Sequence, residues 1–194
     1  MYPTIFLIRH GQTEWNVERR FQGRLNSPLT KKGRLQAKEN ALKLKKYIDK
    51  FDNIKIFSSP LGRAKETVEI ICNELEIDKS NIIYDNRIME FSYGIFEGQK
   101  VEDMLKTEEF QKREADKWNY QIENGESYRI VQKRVKDFLD EIKFEKGIIL
   151  VAHEMVNRTI RGLYCNYNTE ETLKLKQPNN VVLLLKNKEE KILT

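Results

Sequence analysis

Four short apolar runs constrain this chain more than any other feature: Thr4-Ile-Phe-Leu-Ile8, Lys55-Ile-Phe57, Ile148-Ile-Leu-Val151 and Val181-Val-Leu-Leu-Leu185. Each is too short for a helix and too continuous for a strand with one wet face, so each is expected to be a strand buried on both sides. Helical periodicity fills the intervals. Thr30 is placed to cap a helix over about 31–48, with Leu35, Leu42 and the stretch from Leu44 to Ile48 on its apolar face. Ser59 and Pro60 read as the cap and first residue of a second helix, which carries Ala64, Val68, Ile71, Cys72 and Leu75 at spacings of three and four. A third helix, about 127–143, presents Ile130, Val131, Val135, Phe138, Leu139 and Ile142, and a fourth follows His153 to about Tyr164. Strands alternating with helices predict the α/β class, as a three-layer α/β/α sandwich around a mainly parallel sheet. The polar, aromatic stretch 86–124 fits loop plus short helices folded over one end of the sheet. It is expected to be a lid-like insertion in a single domain spanning 1–194.

Composition removes several function classes. With 39% hydrophobic residues, 8 Tyr, 9 Phe and 2 Trp in 194 residues, the chain is not disordered. The net charge of +5 arises from interspersed acids and bases without a basic stripe, so no nucleic-acid partner is expected. The apolar run Ile5 to Ile8 is too short for a signal peptide or a membrane span, so no membrane partner is expected either. Two His and no Cys-x-x-Cys pair leave a structural zinc site almost no ligands to draw on. Cys72 and Cys165, each alone in an apolar run, are expected to be buried thiols in a reducing compartment, which predicts a cytoplasmic protein.

Ligands of open α/β sheets bind at the carboxyl ends of the strands. Arg9-His10-Gly11-Gln12-Thr13-Glu14-Trp15-Asn16 follows the first run, Ser58 to Ala64 the second, and Ala152-His153-Glu154 the third. Taken singly, a His at a strand end is an ordinary structural residue and an Arg a surface charge. Here, though, both histidines of the chain, together with Arg9 and Arg63, converge on one sheet edge. That composition suits an anion, with guanidinium forks matched to phosphate.

Ile8-Arg9-His10-Gly11-Gln12-Thr13-Glu14 resembles the Arg-His-Gly signature of the histidine phosphatase superfamily, in its phosphoglycerate-mutase-like branch. Further similar blocks follow in the family's order, from residue 5 to about 162. They are Phe21 to Thr30, Ser58 to Thr67, Glu90-Phe91-Ser92-Tyr93-Gly94-Ile95-Phe96-Glu97-Gly98, Gly125-Glu126-Ser127 and Val151-Ala152-His153. The resemblance implies a phosphoglycerate mutase-like fold and a metal-independent, cofactor-free phosphoryl transfer. It implies His10 as nucleophile, neutral and with its second ring nitrogen donating to a carbonyl. Arg9, Arg63 and His153 would bind the phosphoryl group, and Glu90 would give and take the proton. Asn16, Gln22 and Gly23 match positions that contact the phosphoryl group or the substrate body. Asn16 is alternatively a helix cap, Gln22 a turn residue and Glu90 a surface carboxylate. Glu97 and Glu126 are expected to be structural.

Glu154 departs from the family, where Gly often follows the second His. Its carboxylate either turns into the first turn of the following helix or points inward, opposing phosphate or adding a second acid. The classical mutases carry an Arg-Arg pair and a proline run before the Gly-Glu-Ser block. Phe110 to Asn124 has neither, which favours hydrolysis of a small phosphorylated metabolite over mutase chemistry, with a silent phospho-ligand binder as a third alternative. Tyr93, Phe96, Lys117, Trp118 and Tyr120 are candidates to line the pocket, burial in the core being their alternative. A homodimer is admitted but not required.

Overall fold

Alternate residues of the first strand point into two different cores. A computed structural model describes residues 2–48 and 54–194. Strand β1 (Thr4–Arg9) is followed by a short helix α1 (Glu14–Val17), then α2 (Lys31–Tyr47), β2 (Ile54–Ser58), α3 (Gly62–Leu75) and β3 (Ile82–Tyr84). Next come α4 (Val101–Met104), α5 (Glu108–Ala115), α6 (Tyr128–Glu141), β4 (Gly147–Ala152), α7 (Glu154–Cys165), α8 (Thr169–Lys174), β5 (Val182–Lys186) and β6 (Glu189–Leu193). The sheet order is β3-β2-β4-β1-β5-β6, with β3, β2, β4 and β1 mutually parallel and β5 antiparallel to both its neighbours. Ile5 and Leu7 of β1 join α6 and α7 in one core, while Phe6 and Ile8 join α2 and α3 in the other. This is the α/β/α sandwich with a mainly parallel sheet, and its central strand ends at Arg9.

Several local expectations need correction. Leu35 and Leu42 are 56% and 53% exposed, because α2 buries the stripe Gly33, Gln36, Ala37, Asn40, Ala41 and Leu44 instead. The buried amides serve loop backbone: Gln36 Oε1 accepts from Gln12 N–H, and Asn40 Nδ2 donates to the Asn179 carbonyl. The second helix begins at Gly62, with Leu61 in the cap position and no side-chain cap. The Ser59 N–H still donates to the Val151 carbonyl, so the chain remains extended there and the helix starts later. Ile130 is exposed, whereas Val131, Val135, Phe138, Leu139 and Ile142 are buried. Cys72 is buried but Cys165 only partly so, and both are free thiols. The short strand β3 and the charged edge strand β6 carry little apolar signal. β6 folds back on β5 through Asn187 and Lys188, both at positive φ, as a two-residue hairpin turn requires.

The segment 86–124 consists of loop, short 3-10 turns at Asn86–Ile88 and Gly94–Phe96, and the helices α4 and α5. Phe91, Tyr93, Phe96 and Ile122 of this segment pack into the core shared with α6. No helix among the described residues is long and apolar enough to cross a membrane.

Candidate active site

The loop leaving β1 is clamped by backbone contacts. His10 N–H donates to the Ala152 carbonyl (3.0 Å), Gly11 N–H to Thr67 Oγ1 (3.0 Å), and Asn179 Nδ2 to the His10 carbonyl (2.6 Å). The loop also lies directly on the start of α2. A Cβ on Gly33 would stand 2.1 Å from the Gln12 carbonyl oxygen, and one on Gly11 2.3 Å from the Gly33 carbonyl oxygen. Gly33→Ala is therefore expected to cost about 2 kcal/mol by forcing these segments apart. A urea midpoint equal to wild type would show that the loop yields freely.

His10 is buried, and its Nδ1 lies 2.8 Å from the Gly11 carbonyl oxygen. A carbonyl only accepts, so Nδ1 carries the hydrogen and Nε2 keeps its lone pair. Burial, then the charges of Arg63 and Arg9, hold the ring well below its ordinary pKa, so it is neutral.

Arg63 is fixed by Asn26, whose Oδ1 accepts from its backbone N–H, and by the carbonyls of Leu25 and Gly23, each 2.7 Å from a terminal nitrogen. Its Nε is buried without a partner. Burial lowers this guanidinium to about 10, against the attraction of Glu90, and it stays charged at neutral pH. Arg9 Nη1 donates to the Gln177 carbonyl and meets Glu154 Oε2, while its buried Nε also lacks a partner. Both buried guanidinium Nε–H groups are thus left able to donate to an incoming acceptor.

His153 is fully buried, with its ring centroid 5.2 Å from that of His10. Its Nε2 lies 2.7 Å from Ser59 Oγ, which accepts from the Leu61 N–H. The Ser59 hydroxyl hydrogen is thereby free to be donated to Nε2. In that arrangement the hydrogen of the ring sits on Nδ1, a third buried polar atom without a partner.

Glu90 is buried and its Oε1 accepts from the Phe91 N–H (2.8 Å). Burial raises its pKa, opposed by Arg63 and Arg9, which favours the protonated acid. Arg24 and Arg134 both donate to its backbone carbonyl. Glu126 pairs with both arginines, and Glu97 accepts from the backbone of Arg24 and Tyr93, so these two carboxylates hold the Glu90 loop.

His10, Arg9, Arg63 and Glu90 line one cleft of about 240 Å³, together with Asn16, Gln22 and Gly23. Asn16 also serves as a capping residue: its Oδ1 accepts from the Thr13 N–H, which leaves its amide NH2 as a donor. Gln22 Oε1 likewise accepts from Thr13 Oγ1. Gly23 sits at φ +52°, and a Cβ there would stand 2.1 Å from Glu97 Oε1. Among the aromatic candidates only Tyr93 reaches the cleft. Phe96 is core, Trp118 stacks on Tyr128, Tyr120 donates to Glu109, and Lys117 pairs with Glu114. Sequence reasoning did not single out Arg20, Val101 and Met155 of the cleft wall or Gln177 behind it, and read Ser59, also behind it, as a helix cap. Among the described residues no three His, Cys, Asp or Glu side chains are grouped to hold a metal ion.

The sequence model of the histidine phosphatase superfamily (branch 1) matches residues 5–193. The chain belongs to this superfamily. It is 36% identical over 141 residues to the protein named "Probable phosphoglycerate mutase GpmB" of Shigella dysenteriae serotype 1, a match covering 72% of this chain and 62% of that relative. Among solved structures it is similar to Bacillus stearothermophilus YhfR, at a TM-score of 0.80 and 27% identity, covering 98% of this chain and 95% of the other. It also shares its fold with the alpha-ribazole phosphatase of Shigella flexneri, at a TM-score of 0.80 and 22% identity over the same shares of the two chains. His10, Arg9, Arg63 and His153 stand at strand ends or in the turns after them within the matched span, and Glu90 comes from the segment beside them.

Proposed function

We propose that this member of the superfamily is a phosphomonoesterase acting on a small phosphorylated metabolite through a phosphohistidine on His10. The observation that carries the proposal is a neutral, buried imidazole with a free Nε2, sharing one cleft with two guanidiniums and with a buried carboxyl whose pKa burial raises. The Nε2 lone pair attacks phosphorus, the N–P bond forms as the P–O bond to the alcohol breaks, and Glu90 gives its proton to the leaving oxygen. Arg9, Arg63 and His153 N–H groups meet the equatorial oxygens. Water then attacks phosphorus with Glu90 taking its proton, the N–P bond breaks, and inorganic phosphate leaves. Because arginine supplies the positive charge, the reaction is proposed to need no metal or cofactor.

Hydrolysis is favoured over phosphoglycerate mutase chemistry by the wall that faces the alcohol. Segment 86–124 contributes Glu90, Tyr93 and Val101 to the cleft and no cation, and Arg20, which also lines it, is bonded to the Gly98 carbonyl and paired at the surface with Glu18. Little is left to seize a substrate carboxylate while the phosphoryl group waits for return. Free thiols at Cys72 and Cys165 fit a cytoplasmic setting. The purified protein is expected to release phosphate from p-nitrophenyl phosphate in EDTA. It is expected not to interconvert 3- and 2-phosphoglycerate, with or without 2,3-bisphosphoglycerate. Rapid interconversion would assign the mutase reaction, and binding without turnover of any ester the silent relative.

A further inference from the structure

The mechanism leaves one carboxylate of the cleft unused. Glu154 opens α7 directly after His153 and points inward, the second of the two orientations its sequence position allowed. Its Oε2 lies 2.5 Å from Arg9 Nη1 and its Oε1 3.4 Å from Arg158 Nη2, one helical turn on. Arg158 is held in turn by Tyr128 Oη, 2.8 Å away, so the carboxylate is gripped from both sides at the cleft wall.

Charge accounting then decides what the cleft accepts. Its lining holds the cations Arg9, Arg20 and Arg63 and the acids Glu90 and Glu154. With Glu90 protonated for its acid role, Arg9 and Arg63 together match a phosphoryl dianion. Arg20 is committed to Glu18, at 2.6 Å, and to the Gly98 carbonyl, at 3.0 Å. A second anionic group on the alcohol would meet the carboxylate of Glu154, which shares Arg9 with the phosphoryl group and is backed by Arg158 outside the lining, with the surface-paired Arg20 as the one further cation of the described lining. Like charges a few ångströms apart near a protein surface change binding by about tenfold or more.

We propose that Glu154 is a specificity-determining residue that turns the site against phosphomonoesters whose alcohol carries a second anion, leaving neutral or cationic alcohols as the substrate class. The proposal rests on the phosphomonoesterase function above. It also separates the chain from chemistry on acidic phosphoesters by a residue that touches neither nucleophile nor acid.

Glycerol 3-phosphate and 3-phosphoglycerate test it, since they differ by a hydroxymethyl against a carboxylate on one carbon. Wild type is expected to favour glycerol 3-phosphate by about tenfold or more in kcat/KM. Glu154→Gln, which keeps shape and removes charge, is expected to narrow that ratio at least about fivefold, and high salt to narrow it in wild type only. Calorimetric Kd values for both esters on the same two proteins are expected to move in the same direction. That readout needs no turnover, so a failed hydrolysis assay beside a shifted Kd ratio would remove the phosphatase function and keep the charge selectivity. A ratio within twofold of wild type in both readouts, a wild-type preference for 3-phosphoglycerate, or no measurable binding of either ester would overturn the proposal.

Discussion

His10→Ala is expected to lower kcat/KM for every phosphomonoester by at least about 10⁴-fold, the scale seen when a covalent nucleophile is removed. The size follows from the geometry around the ring. Nδ1 is committed to the Gly11 carbonyl, burial and two arginines keep the imidazole neutral, and the Nε2 lone pair is left for phosphorus. His153 is a poor substitute. Its Nε2 is engaged by Ser59 and its Nδ1 carries the ring hydrogen, so it offers a donor to the phosphoryl oxygens but no free lone pair to phosphorus. Fold integrity of the variant is checked by its urea midpoint, since alanine also empties buried volume. Turnover within tenfold of wild type in a folded variant would remove His10 from the chemistry.

The second large effect depends on the leaving group. Glu90→Gln is expected to slow alkyl phosphates by about 10²–10⁴-fold and p-nitrophenyl phosphate by about tenfold or less in the transfer step, because nitrophenolate departs without a proton. The pH profile gives an independent check with a definite sign. The neutral His10 is required, and its depressed pKa sets the acidic limb, where activity falls as the ring protonates. The protonated Glu90 is required, and its raised pKa sets the alkaline limb, where activity falls as the carboxyl ionises. Glu90→Gln is expected to abolish the alkaline limb of kcat/KM for alkyl substrates and leave the acidic one. Equal losses on both substrate classes with an unchanged profile would assign the proton transfers to another group, Glu154 being the other carboxylate of the cleft lining.

Much of this site is legible in the amino-acid sequence, for a local reason. Arg9, His10 and His153 directly follow runs too apolar to be anything but buried strands, and a parallel sheet brings such ends to one edge. Arg63 lies in the first turn of the helix after the run Lys55 to Phe57 and needs no distant information to be placed. Glu90 is different: its segment has no clear period, and only the resemblance marks it. The residues that sequence patterns do not reveal depend on contacts between positions far apart in the chain. Gln177 reaches back to Leu7 and Arg9, and Ser59 to His153, through hydrogen bonds that leave no pattern in the intervening residues. The unexpected helix faces have a related cause. At its start α2 buries glycine and an amide because the loop carrying His10 presses on it, so Leu35 and Leu42 lie on its outer side while Leu44 stays buried. At Ser59 the tie to strand β4 holds the chain extended before the proline, and the residue that resembles a helix cap instead orients a histidine.

The proposed chemistry depends on a covalent N–P bond at one ring. Rapid mixing of the protein with a ³²P-labelled alkyl phosphate, denaturing quench at alkaline pH and peptide mapping read it directly. The expected result is an acid-labile, alkali-stable label that forms and decays at rates compatible with turnover and maps to the peptide containing His10. A label on any other residue, or product formed through the first turnover with no protein-bound phosphorus, would contradict it.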